Sequence, residues 1–422
     1  MRWVGPLIAM LVVAAAGALA TQAYMPYGLH TAFGVALGGA SLAAMSLALM
    51  LAARPTGLEP LFGGLDRMYG LHKWLGIAAL ALMIGHNGIE PDLEHWVRET
   101  GWGEAAEEVG EFAFNGFLGL ILISWIKRLP FTRLELPWPL WRFTHRFTGL
   151  LFAVAAFHQL AIDQPVPMDD PFRLYVNALC VAGIGAWLFT QLIAPLIRRR
   201  SFVLEQVTRH GPVTELTLRP EGRPMRWKPG QFALLSATGV GMGEPHPFTL
   251  ASAPNADGRV RFAIKALGDW TKRLPARLTA GQRMRIEGPY GRFLFRRRAR
   301  HQVWLAGGIG ITPFLAWAQA LRPEHGTEIV LVWAVSTRQE AYAAQRLEAI
   351  AARHPQFTVH IVISAEQGRL TAQALVAMVP FPIRLAELFY CGPTGLRRAI
   401  LAGLKALGQS PRRVHTEAFE WR

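Results

Sequence analysis

The 422-residue chain is 51% hydrophobic and only 17% charged, which is too apolar for an ordinary soluble enzyme of this size. Its formal net charge of +15 would suit a nucleic-acid-binding protein, but much of the basic surplus lies in loops beside apolar segments, so we exclude that class. The length predicts two or three domains. Cys180 and Cys391 lie in an apolar helix and in a soluble motif, so we predict neither a disulfide nor a CxxC metal site.

Six apolar segments are close to the roughly 20 residues that a helix needs to cross a bilayer. They lie near residues 3–24, 29–53, 69–90, 109–127, 140–162 and 174–197. The first resembles a signal peptide, but its uncharged stretch is long for that role and further apolar segments follow, so we interpret it as a retained membrane helix. The fourth is the weakest, because only Phe112–Ile126 is uncharged. The sequence therefore predicts a six-helix transmembrane bundle over residues 1–199.

The loops between the predicted helices carry charges of alternating sign. Basic residues lie after helices two, four and six: Arg54, Arg67, Lys127, Arg128, Arg133, Arg198, Arg199 and Arg200. The alternate loops are acidic: Glu90, Asp92, Glu94, Glu104, Glu107 and Glu108 in one, and Asp163, Asp169 and Asp170 in the other. By the positive-inside rule, this asymmetry predicts a multi-pass protein of the cell (inner) membrane with both termini in the cytoplasm.

The pattern changes after Arg200. Short alternating runs separated by Gly and Pro predict an antiparallel β-barrel over residues 200–298, with strands at Val203–Val207, Val213–Leu218, Phe232–Leu235 and Val260–Ile264. Residues 299–422 alternate strands with helices, which predicts an α/β nucleotide-binding domain. The fold class is therefore multidomain: a membrane bundle, a barrel and an α/β domain.

Four histidines lie in two of the predicted membrane helices. His72 and His86 are 14 residues apart in helix three, and His145 and His158 are 13 apart in helix five. At about 1.5 Å per residue, each pair is separated by roughly 20 Å along its helix. Because the two helices run in the same direction, His72 can face His145 near the cytoplasm and His86 can face His158 near the outside. Imidazole is a natural axial ligand of haem iron, so the pattern predicts two stacked bis-histidine haem sites.

A single membrane histidine is more often explained by hydrogen bonds to water or to the backbone. Four histidines at matching spacing reverse that preference, because ionisable groups at membrane depth are costly unless they are functional. The 13-residue spacing places His158 about 140° from His145 on an ideal helix. A local distortion near Gly149, or haems rotated differently, is needed to reconcile the two sites.

The segment His246-Pro247-Phe248-Thr249-Leu250-Ala251-Ser252 follows the candidate barrel strands. At this point the sequence resembles the NADPH oxidase and ferric reductase family, whose soluble half is similar to ferredoxin–NADP reductase. In that family the stretch binds FAD. The resemblance implies that the cofactor contacts His246, Pro247, Phe248, Thr249 and Ser252. It also implies that the Phe248 ring packs by the flavin and that the Thr249 hydroxyl lies near flavin N5.

The next motif is Lys265 followed by Gly268-Asp269-Trp270-Thr271. A cation followed by backbone N–H groups at the start of a helix suits a phosphate. The resemblance implies that Lys265, Gly268, Trp270 and Thr271 hold the FAD pyrophosphate. Gly288-Pro289-Tyr290-Gly291 also matches a family motif.

A glycine-rich loop follows a predicted strand and opens a helix, a context that suits dinucleotide phosphates. The resemblance implies that it is the pyridine-nucleotide loop, with Gly307, Gly308, Gly310, Thr312 and Pro313 as binding residues. It also implies that Cys391, Gly392 and Pro393 lie beside the nicotinamide. The alternative for Cys391 is a small buried residue before a turn.

Two further residues have alternative interpretations. Arg338 follows the predicted strand Ile329–Val335 and is suited to the 2′-phosphate of NADPH, or else it is a solvated surface residue. The family ends on an aromatic residue that covers the flavin, and Phe419 fits this role best, with Trp421 as the alternative. The resemblance thus implies catalytic roles for Thr249, Cys391 and Phe419.

The implied activity is a transmembrane oxidoreductase with FAD, NADPH or NADH, and two b-type haems. Electrons would pass from the nucleotide through FAD, the inner haem (His72 and His145) and the outer haem (His86 and His158) to an acceptor outside. That acceptor is oxygen, as in a superoxide-forming NADPH oxidase, or a ferric chelate, as in a ferric reductase. A third possibility is an electron-supplying subunit for a periplasmic or extracellular protein partner.

The sequence departs from the oxidases in two respects. It has no EF-hand loop, and Glu90 stands where oxidases can carry a histidine one turn beyond the outer ligand. A transporter with a regulatory nucleotide domain would need ion-path residues mid-membrane. Apart from the histidines and Lys73 near one helix end, few are present.

Overall fold

A computed structural model describes residues 3–55, 57–89, 97–125, 138–239, 241–295, 299–323 and 326–417. The chain divides into two compact units, Met1–Ile197 and Arg198–Arg422. The first is helical, with α1 (Val4–Tyr24), α2 (Leu29–Ala52), α3 (Glu59–Phe62), α4 (Leu65–Gly88), α5 (Gly103–Trp125), α6 (Trp138–His145), α7 (Phe147–Ala161), α8 (Pro171–Leu188) and α9 (Ala194–Ile197).

Small residues determine how the helices of the first unit pack. The central helix α2 packs against α1, α4 and α8. Gly39 of α2 faces the ring of Phe172, and Gly183 of α8 faces the buried Phe152 of α7. Glycine at these contacts lets helix backbones approach closely, which is how membrane helices gain packing energy without a hydrophobic driving force.

Four helical segments in the described part of the chain are long and apolar enough to span a membrane: Val4–Tyr27, Leu29–Ala52, Leu65–Gly88 and Pro171–Ile197. They correspond to the first, second, third and sixth predicted spans. Residues 109–125 of the predicted fourth span lie in α5, whose first turn contains the acidic Glu104, and residues 126 and 127 lie outside the described residues. The predicted fifth span is divided between α6 and α7. The membrane character of the first unit is therefore confirmed, and the count of six stays a prediction.

The second unit begins with a curled antiparallel sheet of six strands. They are β1 (Arg199–His210), β2 (Val213–Pro220), β3 (Phe232–Ala237), β4 (His246–Thr249), β5 (Val260–Lys265) and β6 (Arg283–Tyr290), in the order β4-β3-β6-β1-β2-β5. Near the two edge strands, the Ala251 N–H donates to the Arg261 carbonyl at 2.8 Å. Alternating residues such as Phe202, Leu204 and Phe262 fill the interior. Full closure into a barrel stays a prediction.

The helix α10 (Asp269–Arg277) lies between β5 and β6, and an α/β domain follows. Its elements are β7 (His301–Gly307), α11 (Thr312–Gln319), β8 (Glu328–Val335), α12 (Ala344–Ala351), β9 (Phe357–Ile363), α13 (Ser364–Gln367), α14 (Ala372–Met378), β10 (Glu387–Cys391), α15 (Thr394–Ala406) and β11 (Arg413–Glu417). The strands are parallel, in the order β11-β10-β7-β8-β9. The predicted α/β domain is confirmed.

This strand order creates a switch point between β7 and β10. From β7 the chain builds outward through β8 and β9, and then returns to the opposite side of β7 to form β10. Loops leaving the carboxyl ends of β7 and β10 therefore diverge to opposite faces of the sheet. In open α/β sheets, ligands bind in the crevice at this position.

Candidate functional site

The four membrane histidines lie on three helices. His72 and His86 belong to α4, His145 ends α6, and His158 lies in α7. The rings of His72 and His145 are brought together, with centroids 6.1 Å apart and planes at 75°. Two imidazoles that share one metal, each about 2 Å from it, have centroids about 6 Å apart. The geometry of this pair therefore fits axial ligation of a single iron.

Hydrogen bonds at Nδ1 hold all four rings. The Nδ1 atoms of His72, His86 and His158 lie 2.8 Å from the carbonyl oxygens of, respectively, Ala48, Gly34 and Ala106. Because a carbonyl only accepts, Nδ1 must carry the proton and donate it. The lone pair is then on Nε2, as in metal-bound histidines whose other nitrogen donates to a carbonyl.

His145 is held in a different way. Its Nδ1 lies 3.2 Å from the Ser124 hydroxyl oxygen, and that hydroxyl donates to the Leu120 carbonyl at 2.7 Å. Since the serine proton is used on Leu120, the histidine must donate to the serine oxygen, which selects the same tautomer. The ring also stacks on Trp141 at 4.9 Å. Sequence reasoning missed both Ser124 and Trp141.

A glycine lies against the ring of His86, and another lies against the ring of His158. A Cβ on Gly38 would stand 3.0 Å from the His86 ring, and one on Gly110 would stand 2.5 Å from His158 Nδ1. Each glycine is one helical turn beyond the residue whose carbonyl accepts the histidine proton. The acceptors Gly34 and Ala106 are thus each followed four residues later by a glycine, Gly38 or Gly110, and this repeat is visible in the sequence.

The helix is interrupted at Arg146, between α6 and α7 and three residues before Gly149, near which a distortion was one of the two predicted ways to reconcile the 13-residue spacing. The Trp187 indole N–H donates to the Arg146 carbonyl at 3.2 Å, which satisfies a group near the break. Gly149 packs directly under the Trp187 ring, because a Cβ there would lie 2.1 Å from it. Trp187 therefore supports the break that separates His145 from His158.

The proposed flavin residues of the second unit lie around an aromatic cluster. The segment His246–Thr249 forms β4, and the rings of His246 and Phe248 lie 4.6 Å and 5.6 Å from the Trp270 ring. Pro247 is tolerated because β4 is an edge strand, where a missing N–H is harmless. The buried Trp270 indole N–H has no hydrogen-bond partner within the described residues, so it is available as a donor to a ligand.

Thr249 and Ser252 are both buried. The Ser252 hydroxyl accepts from the Arg261 N–H at 3.1 Å, and its carbonyl accepts from the Trp227 indole at 2.9 Å. Ser252 thus links the segment after β4 to the opposite edge of the sheet. These hydrogen bonds give Ser252 a structural role, and its contact with the flavin stays a prediction.

The residues predicted to hold the pyrophosphate have protein partners. Gly268 begins α10, and the Thr271 hydroxyl accepts from the N–H groups of Leu267 and Gly268, each at 2.9 Å. Lys265 Nζ lies 2.9 Å from the nearly buried Glu340 carboxylate of the α/β domain. A phosphate at this helix start would therefore have to share or replace these contacts.

The two predicted nucleotide motifs meet at the switch point. Gly307 ends β7, and Gly308 begins the 3-10 turn that follows it. Thr312 and Pro313 open α11, and the turn at Gly392 follows β10. A Cβ on Gly310 would lie 2.2 Å from the Cys391 carbonyl, and one on Gly392 would lie 2.8 Å from Gly307. At Gly392 the backbone also has a φ of +153°, in the region that favours glycine.

Cys391 is completely buried within this contact. Burial raises the pKa of its thiol well above the ordinary value, and the nearby Glu417 carboxylate raises that pKa further. The thiol is therefore protonated at neutral pH and is not a thiolate nucleophile. Cys391 pairs with Glu417 of β11, and Phe419 and Trp421 lie beyond the described residues.

Arg338 lies close to an acidic partner. Its Nε and Nη2 atoms donate to the two carboxylate oxygens of Glu366 at 3.2 Å and 2.8 Å. The Arg338 side chain is 77% exposed, so water screens the pair. Both residues follow carboxyl ends of neighbouring strands, β8 and β9, on the same edge as the glycine loop.

Comparison with known proteins supports the three-part organisation. Residues 37–156 match the family "Ferric reductase like transmembrane component", residues 204–293 match "FAD-binding domain", and residues 304–401 match "Oxidoreductase NAD-binding domain". The chain has the domain architecture of the NADPH oxidase and ferric reductase family. It is accordingly an oxidoreductase with domains for FAD and NAD(P)H.

Individual relatives match the soluble half. The reductase component of the naphthalene 1,2-dioxygenase system of Pseudomonas putida is 28% identical over 47% of this chain and 62% of its own length. The ferredoxin reductase component of a 3-ketosteroid-9-alpha-monooxygenase from Mycolicibacterium smegmatis is 30% identical over 46% of this chain and 56% of its own length. The chain thus spans less than two thirds of either relative.

Among solved structures, the flavohemoglobin from Malassezia yamatoensis, with bound FAD and heme, aligns over 95% of this chain and 99% of its own. The TM-score is 0.50 and the identity 18%. At that identity the likeness concerns the fold alone.

The Gly310 contact makes a direct test of the nucleotide site. Gly310→Ala should push the loop away from the Cys391 carbonyl, an overpacking cost of about 1–3 kcal/mol. That strain should fall on the bound state, because a nucleotide at the switch point needs the loop in place, so the KM for NADH and NADPH should rise roughly 5- to 150-fold in assays with an artificial acceptor. FAD content should stay unchanged. The control is Gly326→Ala, where a Cβ meets open space. An unaltered KM in Gly310→Ala would remove this loop from the nucleotide site.

Proposed function

We propose that the chain carries electrons across a membrane, from cytoplasmic NAD(P)H through FAD and two b-type haems to an acceptor on the outer side. The observation that carries this proposal is the common tautomer of the four histidines. Each donates from Nδ1 and keeps Nε2 for a metal. The six-helix bundle, the barrel and the cytoplasmic position of both termini belong to the same proposal.

When bound, FAD would supply two-electron acceptance from NAD(P)H with one-electron release, and haem iron would supply one-electron transfer. The chain supplies position. Ala48, Gly34 and Ala106 hold three imidazoles through their carbonyls, and Ser124 holds the fourth. Gly38 and Gly110 leave room for the His86 and His158 rings. In the soluble unit, the switch point between β7 and β10 receives the nucleotide.

The acceptor is oxygen or a ferric chelate. Small neutral oxygen can approach a haem edge closely, whereas a chelate needs a larger opening. The acidic segments near Glu104–Glu111 and Asp163–Asp170 favour cationic acceptors through long-range attraction. Both reactions are therefore part of the proposal.

A second candidate is an electron-supplying subunit for a separate protein. The observation in its favour is that the two relatives named above are reductase components of multi-protein oxygenase systems. Each relative covers less than half of this chain, so this candidate requires that the membrane unit has replaced a soluble electron carrier.

The haem proposal predicts a stoichiometry. Pyridine haemochrome on the purified protein should give two haems per chain. Substitution of any one of His72, His86, His145 or His158 by alanine should reduce the value to about one, because each site loses an axial ligand. His30→Ala is the matched control, an exposed histidine of the same unit, and should retain two. Two haems in all four variants would refute the assignment.

The Arg338–Glu366 pair predicts nucleotide preference. If Arg338 binds the 2′-phosphate, Arg338→Ala should raise the KM for NADPH roughly ten- to hundredfold, from a charge-assisted contact of about 1.5–3 kcal/mol, and leave NADH largely unchanged. Glu366→Gln should lower the KM for NADPH, since the competing carboxylate is neutralised. Arg353→Ala, in the same domain, is the control. Equal changes for both nucleotides would place Arg338 outside the site.

The acceptor is tested with anaerobically reduced protein. We expect oxygen and ferric chelates each to reoxidise the haem bands, with superoxide counted as dismutase-sensitive cytochrome c reduction. Lower ionic strength should speed the reduction of a cationic acceptor and slow the reduction of an anionic one, because exposed charges are screened over about 10 Å at 0.1 M salt. If only ferric chelates act within turnover time, the oxidase reading fails. If neither acts, the partner-protein candidate takes its place.

A further inference from the structure

A cationic pocket of the second unit includes Arg200 and Ser201, which follow α9 closely in the chain. It has a volume of about 270 Å³ and is lined by Arg200, Ser201, Glu221, Gly222 and Arg223. Strand pairing holds it together, because the Glu221 N–H donates to the Ser201 carbonyl at 3.0 Å. None of these residues belongs to the haem, flavin or nucleotide sites described above.

The charge in this pocket is only partly neutralised. The Glu221 carboxylate is 3.3 Å from Arg283 and so has a cationic partner outside the pocket. Arg200 donates Nη1 to the Pro224 carbonyl at 3.2 Å and keeps its other N–H groups. Arg223 has no hydrogen bond or ion pair to any described residue. Two exposed guanidinium groups therefore face one carboxylate that is already paired, which leaves a surplus of positive charge.

The position of the pocket along the chain is set by the helix that precedes it. The candidate span Pro171–Ile197 ends with Leu196 and Ile197 exposed at 80% and 65%, as expected of side chains in lipid. Arg200 follows Ile197 by three residues, which reach at most about 10 Å. The polar headgroup layer is about 5–8 Å thick on each side of the hydrocarbon core. Arg200 therefore lies in the headgroup layer or at its surface.

We propose that this pocket binds the phosphate headgroup of an anionic phospholipid. The planar guanidinium of arginine matches two phosphate oxygens at once, and the Ser201 hydroxyl and the Gly222 N–H are additional donors in the pocket lining. A phospholipid is favoured over a free anion because Arg200 follows the apolar helix end at Ile197 by only three residues, which keeps it within reach of a lipid headgroup. Lipid binding at this pocket requires only that the preceding helix spans the bilayer. It does not depend on the identity of the electron acceptor or on the cofactors.

The test uses the full-length protein in nanodiscs of phosphatidylcholine with a graded fraction of phosphatidylglycerol. Native mass spectrometry measures which lipid the released protein retains. Wild type should prefer phosphatidylglycerol. Each arginine near a membrane surface changes anionic-lipid binding about fivefold, so Arg200→Gln with Arg223→Gln should weaken the preference roughly 25-fold. Arg223→Gln alone should weaken it about fivefold, and it removes no hydrogen bond that holds the fold.

The matched control is Arg353→Gln with Arg412→Gln, which changes the net charge equally at exposed positions of the α/β domain. Its lipid preference should equal that of wild type, and FAD content should be the same in all variants. An equal loss of preference in both double variants would overturn the proposal, because it would show a general effect of charge. Displacement of phosphatidylglycerol from the wild type by inorganic phosphate would also overturn it, in favour of a site for free anions.

Discussion

The membrane unit depends on a hydrogen-bonding constraint at its histidines. A buried imidazole has two ring nitrogens, and a polar atom without a partner in an apolar interior costs several kcal/mol. For three of the rings, a backbone carbonyl of a neighbouring helix satisfies Nδ1, and Ser124 does so for His145. These contacts put the lone pair on Nε2, so one local choice of acceptor determines which nitrogen is able to bind a metal.

The same constraint explains features that otherwise look unrelated. Gly38 and Gly110 lie one turn after the acceptor carbonyls because a larger residue would collide with the rings that those carbonyls hold. The helix is interrupted at Arg146, between His145 and His158. Trp187 satisfies the Arg146 carbonyl beside the break. Gly38 and Gly110 thus leave room for the imidazoles in the orientation that the carbonyls impose.

The sequence could predict the features that neighbouring residues determine. It could not predict contacts between residues that are far apart in the chain. The strands β1, β2, β3 and β5 and the glycine loop were predicted because alternation and strand-turn-helix order are local. The partners of Lys265 and Arg338 were not predicted. Glu340 and Glu366 are far away in the chain and reach these residues only through the tertiary fold. The role of Ser124 depends on helix packing in the same way, whereas Trp141 lies one turn before His145 in α6 and was a local signal. The prediction for Phe419 lies outside the described residues.

The most direct test of the account is whether nucleotide electrons reach the haems within one chain. Stopped-flow spectroscopy of the purified protein, mixed anaerobically with NADPH or NADH, follows the flavin and haem bands together. The account predicts flavin bleaching followed by reduction of both haems, and loss of haem reduction, but not of bleaching, when His72 is replaced by alanine. Bleaching of the flavin while both haems of the wild type stay oxidised would contradict it.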